Sequence, residues 1–188
     1  MSDGRLAGRL LVATPSLQDP NFRRTVVLLL DHGPAGALGL VLNRPTPADV
    51  GGALSLWRER LAPPGVVFAG GPVQTEAAIC LAHSADPGMA ITSPSWQPLF
   101  DGLGTLDVAR SPVDVDVPID AVRMFAGYAG WGEGQLDTEI DAGAWWVLRS
   151  RPDDALGREP DGLWRSVLRR QPGSLGAAAS FPADPSVN

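Results

Sequence analysis

Thr25-Val26-Val27-Leu28-Leu29-Leu30 is apolar on both faces that an extended chain presents. After Asp31–Gly39, with its three glycines and one proline, Leu40-Val41-Leu42 returns in the same character. Short β-branched and leucine runs bounded by turn formers read as strands buried on both sides. The two runs together predict a hairpin with a wide loop at the centre of a sheet. Working outward, Leu10–Ala13 is a short apolar strand ended by Thr14-Pro15, and Ser16–Arg24 is a polar connection rich in turn formers. On the other side, Thr46-Pro47 offers an N-cap followed by proline at the first helical position. Leu54, Trp57 and Leu61 then recur at helical spacing, which predicts an amphipathic helix over Ala48–Leu61, stopped by Pro63-Pro64-Gly65.

Val66–Ala69, closed by Gly70-Gly71-Pro72, and Ala77–Ala82 read as further strands. Beyond Asp86 the pattern thins to short strands at Met89–Thr92 and Thr105–Ala109. Val113–Val117 alternates with Asp114 and Asp116, as a strand with one acidic face would. Val122–Ala129 is a strand running into a glycine-rich turn, Gln135–Asp141 a short helix, and Ala144–Leu148 a strand bearing tryptophans. Arg151–Asp161 reads as a loop, and Leu163–Arg170 as a helix with Leu163, Trp164, Val167 and Leu168 on one side. Residues 171–188 form a Gly/Ala/Pro-rich C-terminal tail. With no repeat and no linker, residues 1–188 are expected to be a single domain. Its class is α/β, bordering on α+β: a mixed, mostly antiparallel sheet flanked by two or three helices.

Composition removes whole classes of chemistry. A chain that is 44% hydrophobic and 19% charged is globular rather than disordered. No apolar run approaches the roughly 20 residues that span a bilayer, and the first residues lack a secretory core, so a cytoplasmic location is expected. The single cysteine, Cys80, leaves no intramolecular disulfide, and two histidines are too few for most structural zinc sites. No metal and no cofactor are expected. All 15 basic residues are arginine, which excludes a Walker lysine, a Schiff-base lysine and a Ser-x-x-Lys nucleophile. A net charge of −6 weighs against direct nucleic-acid binding, and no helix-turn-helix pattern is present. Composition leaves the oligomeric state open.

Three polar or glycine-rich segments stand out. In Asp19-Pro20-Asn21-Phe22-Arg23-Arg24, neighbouring arginines point to different sides, so one can pair with Asp19 while the other faces an anion. The plainer alternative is a loop-fixing ion pair between Asp19 and an arginine, with Phe22 filling core. Gly70-Gly71 permits either a tight turn or close approach to a ligand. Gly130-Trp131-Gly132-Glu133-Gly134-Gln135 joins a strand to a helix start, where free N–H groups can hold an anion or where Trp131 simply caps the core. Cys80 and His83 face opposite ways on one strand, which disfavours a Cys–His pair. Asp114, Asp116 and Asp120 read as a solvated face before they read as a cation site. Arg165, Arg169 and Arg170 complement the dipole of the last helix.

Leu17-Gln18-Asp19-Pro20, Phe22-Arg23-Arg24 and Val26-Val27, followed by Gly36-Ala37-Leu38-Gly39-Leu40-Val41-Leu42-Asn43-Arg44-Pro45, resemble the opening block of the YqgE/AlgH family. Gly70-Gly71-Pro72-Val73, Gly127-Tyr128-Ala129-Gly130-Trp131, Gly134-Gln135-Leu136, Glu139-Ile140, Ala144-Trp145 and Leu163-Trp164-Arg165 continue it in order; the stretch from His83 to Val122 and the tail match poorly. The resemblance implies an α/β fold, a bacterial cytosolic setting and, for one branch, a proposed role in transcriptional control. The segments above and the blocks of the resemblance together supply the candidate ligand-binding set: Asp19, Arg23, Arg24, Asn43, Gly70, Gly71, Tyr128, Trp131, Gln135 and Glu139. These segments are expected to meet at one rim. The expected function is non-catalytic binding or regulation through a small anionic ligand or a protein partner. One alternative is a phosphate-ester or nucleotide hydrolase with Arg23 or Arg24 as clamp and Glu139 or Asp19 as base. The other is a direct or indirect transcriptional regulator.

Overall fold

Leu10 to Ala13 and Val26 to Leu29 have almost no solvent exposure on either side of the chain, as befits central strands. In the computed structural model, which describes residues 6–86 and 93–182, they lie on β1 (Arg9–Ala13) and β2 (Val26–Gly33). The other strands are β3 (Gly36–Val41), β4 (Pro45–Asp49), β5 (Val66–Ala69), β6 (Val73–Ser84), β7 (Trp96–Phe100), β8 (Leu103–Leu106), β9 (Ile119–Trp131) and β10 (Trp145–Arg149). They pair in the order β10-β1-β2-β3-β9-β6-β8-β7, with β4 on β5 and β5 on β9. All of these strand pairings are antiparallel except β5 with β9. The sheet is therefore mixed and mostly antiparallel, as expected. Its helices are α1 (Gln135–Asp141), α2 (Pro152–Leu156), α3 (Leu163–Arg169) and α4 (Ser174–Ala178), with a 3-10 helix at Gly52–Arg60.

Alternation along the strands divides the core. Leu10, Val12 and Leu28 pack with Trp164, Val167 and Leu168 of α3 and with Ala178 and Ala179. Leu11, Ala13 and Val27 point the other way, into Trp131, Leu136 and Trp145 under α1. A third cluster, around Trp57, Cys80 and Met124, lies beneath the 3-10 helix. Gly127, at φ 69°, interrupts the alternation of β9, and Ala129 and Trp131 then enter the α1-side cluster. Arg123 is 2% exposed on β9 and ties three elements together. Its guanidinium lies 4.3 Å over Phe68 and donates to the carbonyls of Pro63, Ala155 and Gly157. Burial pulls its pKa down to about 10, so the group stays charged at neutral pH.

Several expectations are corrected. The hairpin loop is tight: Gly33 pairs with Gly36 across Pro34-Ala35 alone. Thr46 and Pro47 belong to β4, where the Thr46 hydroxyl donates to the Val67 carbonyl instead of capping a helix. Pairing with β5 satisfies more backbone than one cap does. The helix that follows starts only after Gly51, and its 3-10 turns bury Leu54 and Trp57 as the spacing foretold, while Leu61 is half-buried. Val113–Val117 is not a strand: Pro112 opens a short 3-10 turn, Val113 is 89% exposed, and Val115 and Val117 are buried. The strand expected at Thr105–Ala109 lies at Leu103–Leu106. Arg151–Asp161 contains α2, and the tail contains the docked α4. Met89–Thr92 lies outside the described residues.

A candidate anion site of clustered arginines

The segment before β2 is folded by its own polar atoms. The Asp19 carboxylate accepts from the Asn21 amide at 2.8 Å, and the Asp19 carbonyl accepts from the amides of Phe22 and Arg23. Asp19 makes no ion pair with either arginine. Its part in the turn is played through backbone amides. Arg24 follows at φ 57°, the left-handed region that a branched chain enters only when its surroundings enforce it. The enforcing group is Asn43, 5% exposed. Its side-chain oxygen accepts from the Val26 amide at 2.9 Å, and its amide donates to the Arg24 carbonyl at 2.9 Å. Arg44 adds a bond from its guanidinium to the Arg23 carbonyl at 2.6 Å.

This turn divides its side chains between the two faces of the sheet. Phe22 goes to the α1 side, stacking 6.1 Å from Trp131 and edge-on to Trp145 at 5.6 Å. Arg24 goes to the α3 side and lies 4.4 Å over the Trp164 ring. The Trp164 indole donates to the Ala13 carbonyl at 2.9 Å, which fixes the platform. Arg165 sits beside it, donating to the carbonyls of Ala179 at 3.0 Å and Phe181 at 3.4 Å. Arg24 donates to the Phe181 and Pro182 carbonyls. Thr14, Pro15, Gln18, Arg23, Arg24, Phe181 and Pro182 line a small cavity of about 60 Å³. Burial and the charges of Arg165 and Arg23 lower the Arg24 pKa; burial and Arg23 lower that of Arg44. Arg24 thus sits in the field of Arg165 and Arg23, and Arg44 in that of Arg23. Among the described residues, none of the four forms an ion pair with a carboxylate.

The remaining candidates fall elsewhere. Trp131, Gln135 and Glu139 make a closed network on the α1 side. The Glu139 carboxylate accepts from the indoles of Trp131 (2.9 Å) and Trp145 (2.8 Å) and from the Gln135 amide (2.9 Å), while the Gln135 oxygen takes the Gly132 amide. Gly70 and Gly71 pack directly on the β9 backbone. A Cβ on Gly71 would lie 2.2 Å from the Tyr128 carbonyl carbon, and one on Gly70 would lie 2.3 Å from the Gly127 oxygen. Tyr128 is half-buried against the α3-side core. So Asp19, Arg23, Arg24 and Asn43 come together, and Phe22 joins their turn to Trp131 by contact. The double-glycine bend touches β9 instead, and the cavity lined by Arg23 and Arg24 includes neither that bend nor the Trp131 loop. Cys80 is buried, which pushes its thiol up to about 12, and His83 on the other face holds Asp120 at 2.8 Å.

The AlgH-like family, DUF179, matches residues 10–176. The chain belongs to the AlgH-like family. It is 50% identical to a UPF0301 protein of Streptomyces coelicolor, over 97% of this chain and 95% of that one, and 46% identical to a UPF0301 protein of Thermobifida fusca, over 97% and 96%. In fold it is similar to protein DIP2367 of Corynebacterium diphtheriae, with a TM-score of 0.84, 28% identity and coverage of 93% and 91%. It is also similar to the solution structure of AlgH from Pseudomonas aeruginosa, with a TM-score of 0.68, 26% identity and 97% of both chains.

For this AlgH-like chain, no helix among the described residues is long and apolar enough to cross a membrane. Its arginine cluster falls within the matched span, whereas Phe181 and Pro182 fall beyond it. Sequence reasoning found Arg23, Arg24 and Asn43 but missed Arg44, Trp164 and Arg165 as members of the same site. Arg165 reads as a dipole-complementing residue when α3 is considered alone, and nothing in the sequence says that α3 docks beside the turn before β2. The available signal was that Arg44 and Leu163-Trp164-Arg165 belong to the blocks that resemble the family.

Proposed function

We propose that this AlgH-like protein is a non-catalytic binding protein that holds a small oxyanion, a phosphate or carboxylate group, between Arg24 and Arg165. The observation that carries the reading is the four-arginine cluster, in which the guanidinium groups of Arg24, Arg44 and Arg165 donate to neutral carbonyls. An oxyanion between Arg24 and Arg165 would replace those neutral acceptors with charge-assisted, geometrically matched bonds. Arg24 is presented by a strained backbone and stacked on a fixed indole, a preorganisation that lowers the cost of ordering on binding. The two carboxylates available as bases support binding over hydrolysis. Glu139 lies on the opposite face of the sheet with three donors already on it, and Asp19 serves its own turn. A reducing, cytoplasmic setting suits a chain with one cysteine.

Titration calorimetry and thermal shift with inorganic phosphate, citrate and a nucleoside triphosphate test this reading. At least one of these anions should stabilise the chain, by about 2.7 kcal/mol at a hundredfold excess over Kd. Arg24→Gly, which suits a φ of 57°, should leave the fold intact and weaken binding about tenfold to a hundredfold, the scale of one charged hydrogen bond. Arg165→Ala should do the same, and Arg169→Ala, on the exposed side of α3, should not. Absence of any shift, or equal affinity in Arg24→Gly, ends the proposal.

A further inference from the structure

We infer that residues 180–182 are a detachable strap over the arginine site, so that the C-terminal segment and the anion compete for the same guanidinium groups. This rests on the anion-binding reading above and adds its regulation. The strap begins at a sharp change of burial. Ala178 and Ala179 are 4% and 3% exposed and dock α4 onto the α3-side core, whereas Ser180, Phe181 and Pro182 are all exposed, Phe181 by 52%. Beyond Ala179, therefore, little apolar burial holds the chain down. What holds it is polar: the Phe181 carbonyl accepts from Arg24 and Arg165, the Pro182 carbonyl accepts from Arg24, and the Ser180 and Phe181 amides close turns onto Ala177 and Ala178.

Those carbonyls take the donors that an oxyanion would use. Phe181 and Pro182 are also two of the walls of the cavity of about 60 Å³ that Arg23 and Arg24 line. An anion takes the Arg24 and Arg165 donors that these carbonyls hold only when the strap lifts. Lifting breaks the bonds to these carbonyls and the turn that the Phe181 amide closes onto Ala178, while the buried pair Ala178-Ala179 can remain as anchor. A neutral acceptor is the weaker partner for a guanidinium, so the closed state is one that a charged ligand can displace. The apparent affinity is then the intrinsic affinity reduced by the fraction of open chains.

The experiment compares the full chain with a chain ending at Ser180, using inorganic phosphate as probe in calorimetry. The shortened chain should bind at least about tenfold more tightly, as expected when a mostly closed site becomes fully open, and adding Arg24→Gly to it should cancel the gain. In the full chain, the amide signals of Ser180 and Phe181 should move and sharpen as phosphate is added, a readout that does not depend on the shortened chain being stable. Equal phosphate affinity in both chains, with unmoved Ser180 and Phe181 signals, overturns the strap and leaves the anion site standing. Failure of both chains to bind phosphate, citrate or nucleotide overturns both.

Discussion

Asn43 shows how much one buried amide can control. It is 5% exposed, and its oxygen and its nitrogen each bond the backbone on either side of Arg24's unusual conformation. Without it, the Val26 amide and the Arg24 carbonyl lose their partners, and φ 57° loses its constraint. Asn43→Ala should therefore destabilise the fold by about 2 to 4 kcal/mol, the combined cost of two buried groups left unpaired. It should also weaken anion binding, because the guanidinium is no longer aimed across Trp164. Urea unfolding measures the first effect and phosphate titration the second. A change under about 0.5 kcal/mol, the ordinary scatter of surface substitutions, would mean that Asn43 holds nothing in place. Glu139 is the counterpart on the other face: a carboxylate read as a possible base is consumed in orienting two indoles and one amide.

At the scale of elements, the crossing of the β5–β6 bend over β9 organises the sheet. Gly70 and Gly71 on one chain and Gly127 on the other meet backbone to backbone, with no side chain between them. β9 passes from β6 and β5 to β3 through this crossing, changing the face on which its buried residues point. Gly71→Ala places a Cβ 2.2 Å from the Tyr128 carbonyl carbon and 2.3 Å from the Ala129 nitrogen, atoms that cannot retreat without breaking β9. It should cost more than about 3 kcal/mol or abolish folding. Gly130→Ala is the control: its Cβ would meet nothing nearer than the edge of the Tyr128 ring at 3.4 Å, and its cost should stay within about 1 kcal/mol. Thermal melting of the two variants decides it. Similar losses in both would show that glycine matters here for chain entropy rather than for close approach.

For the whole molecule, charge distribution matters more than net charge. The chain carries −6 overall, yet gathers Arg23, Arg24, Arg44 and Arg165 at the start of β2 beside α3. A net negative surface repels anions at long range, so capture at this site depends on the local field. Phosphate affinity should fall as salt is raised, since the screening length drops from about 10 Å at 0.1 M to about 3 Å at 1 M. Calorimetry across that range, with a chloride salt and then with a bulkier monovalent anion, checks it. A flat profile would point to binding by neutral donors.

What the sequence determined by itself was local. The runs at Leu10–Ala13 and Thr25–Leu30 became β1 and β2, because hydrophobic pattern and β-branching act over a few residues. Gln135–Asp141 became α1 with those bounds, and Leu163 to Leu168 buried the stated side of α3, for the same reason. The absence of lysine and the single cysteine narrowed the chemistry before any folding was considered. Only the tertiary structure decided that Thr46 pairs in a strand rather than capping a helix, since its partner Val67 lies beyond an intervening helix. Only it split Phe22 and Arg24 between two faces, separated Glu139 from the arginines and brought Arg165 and the 180–182 strap to Arg24. Those are contacts between residues far apart in the chain. They are set by which faces must be buried together, a condition on the whole fold that no short window of sequence contains.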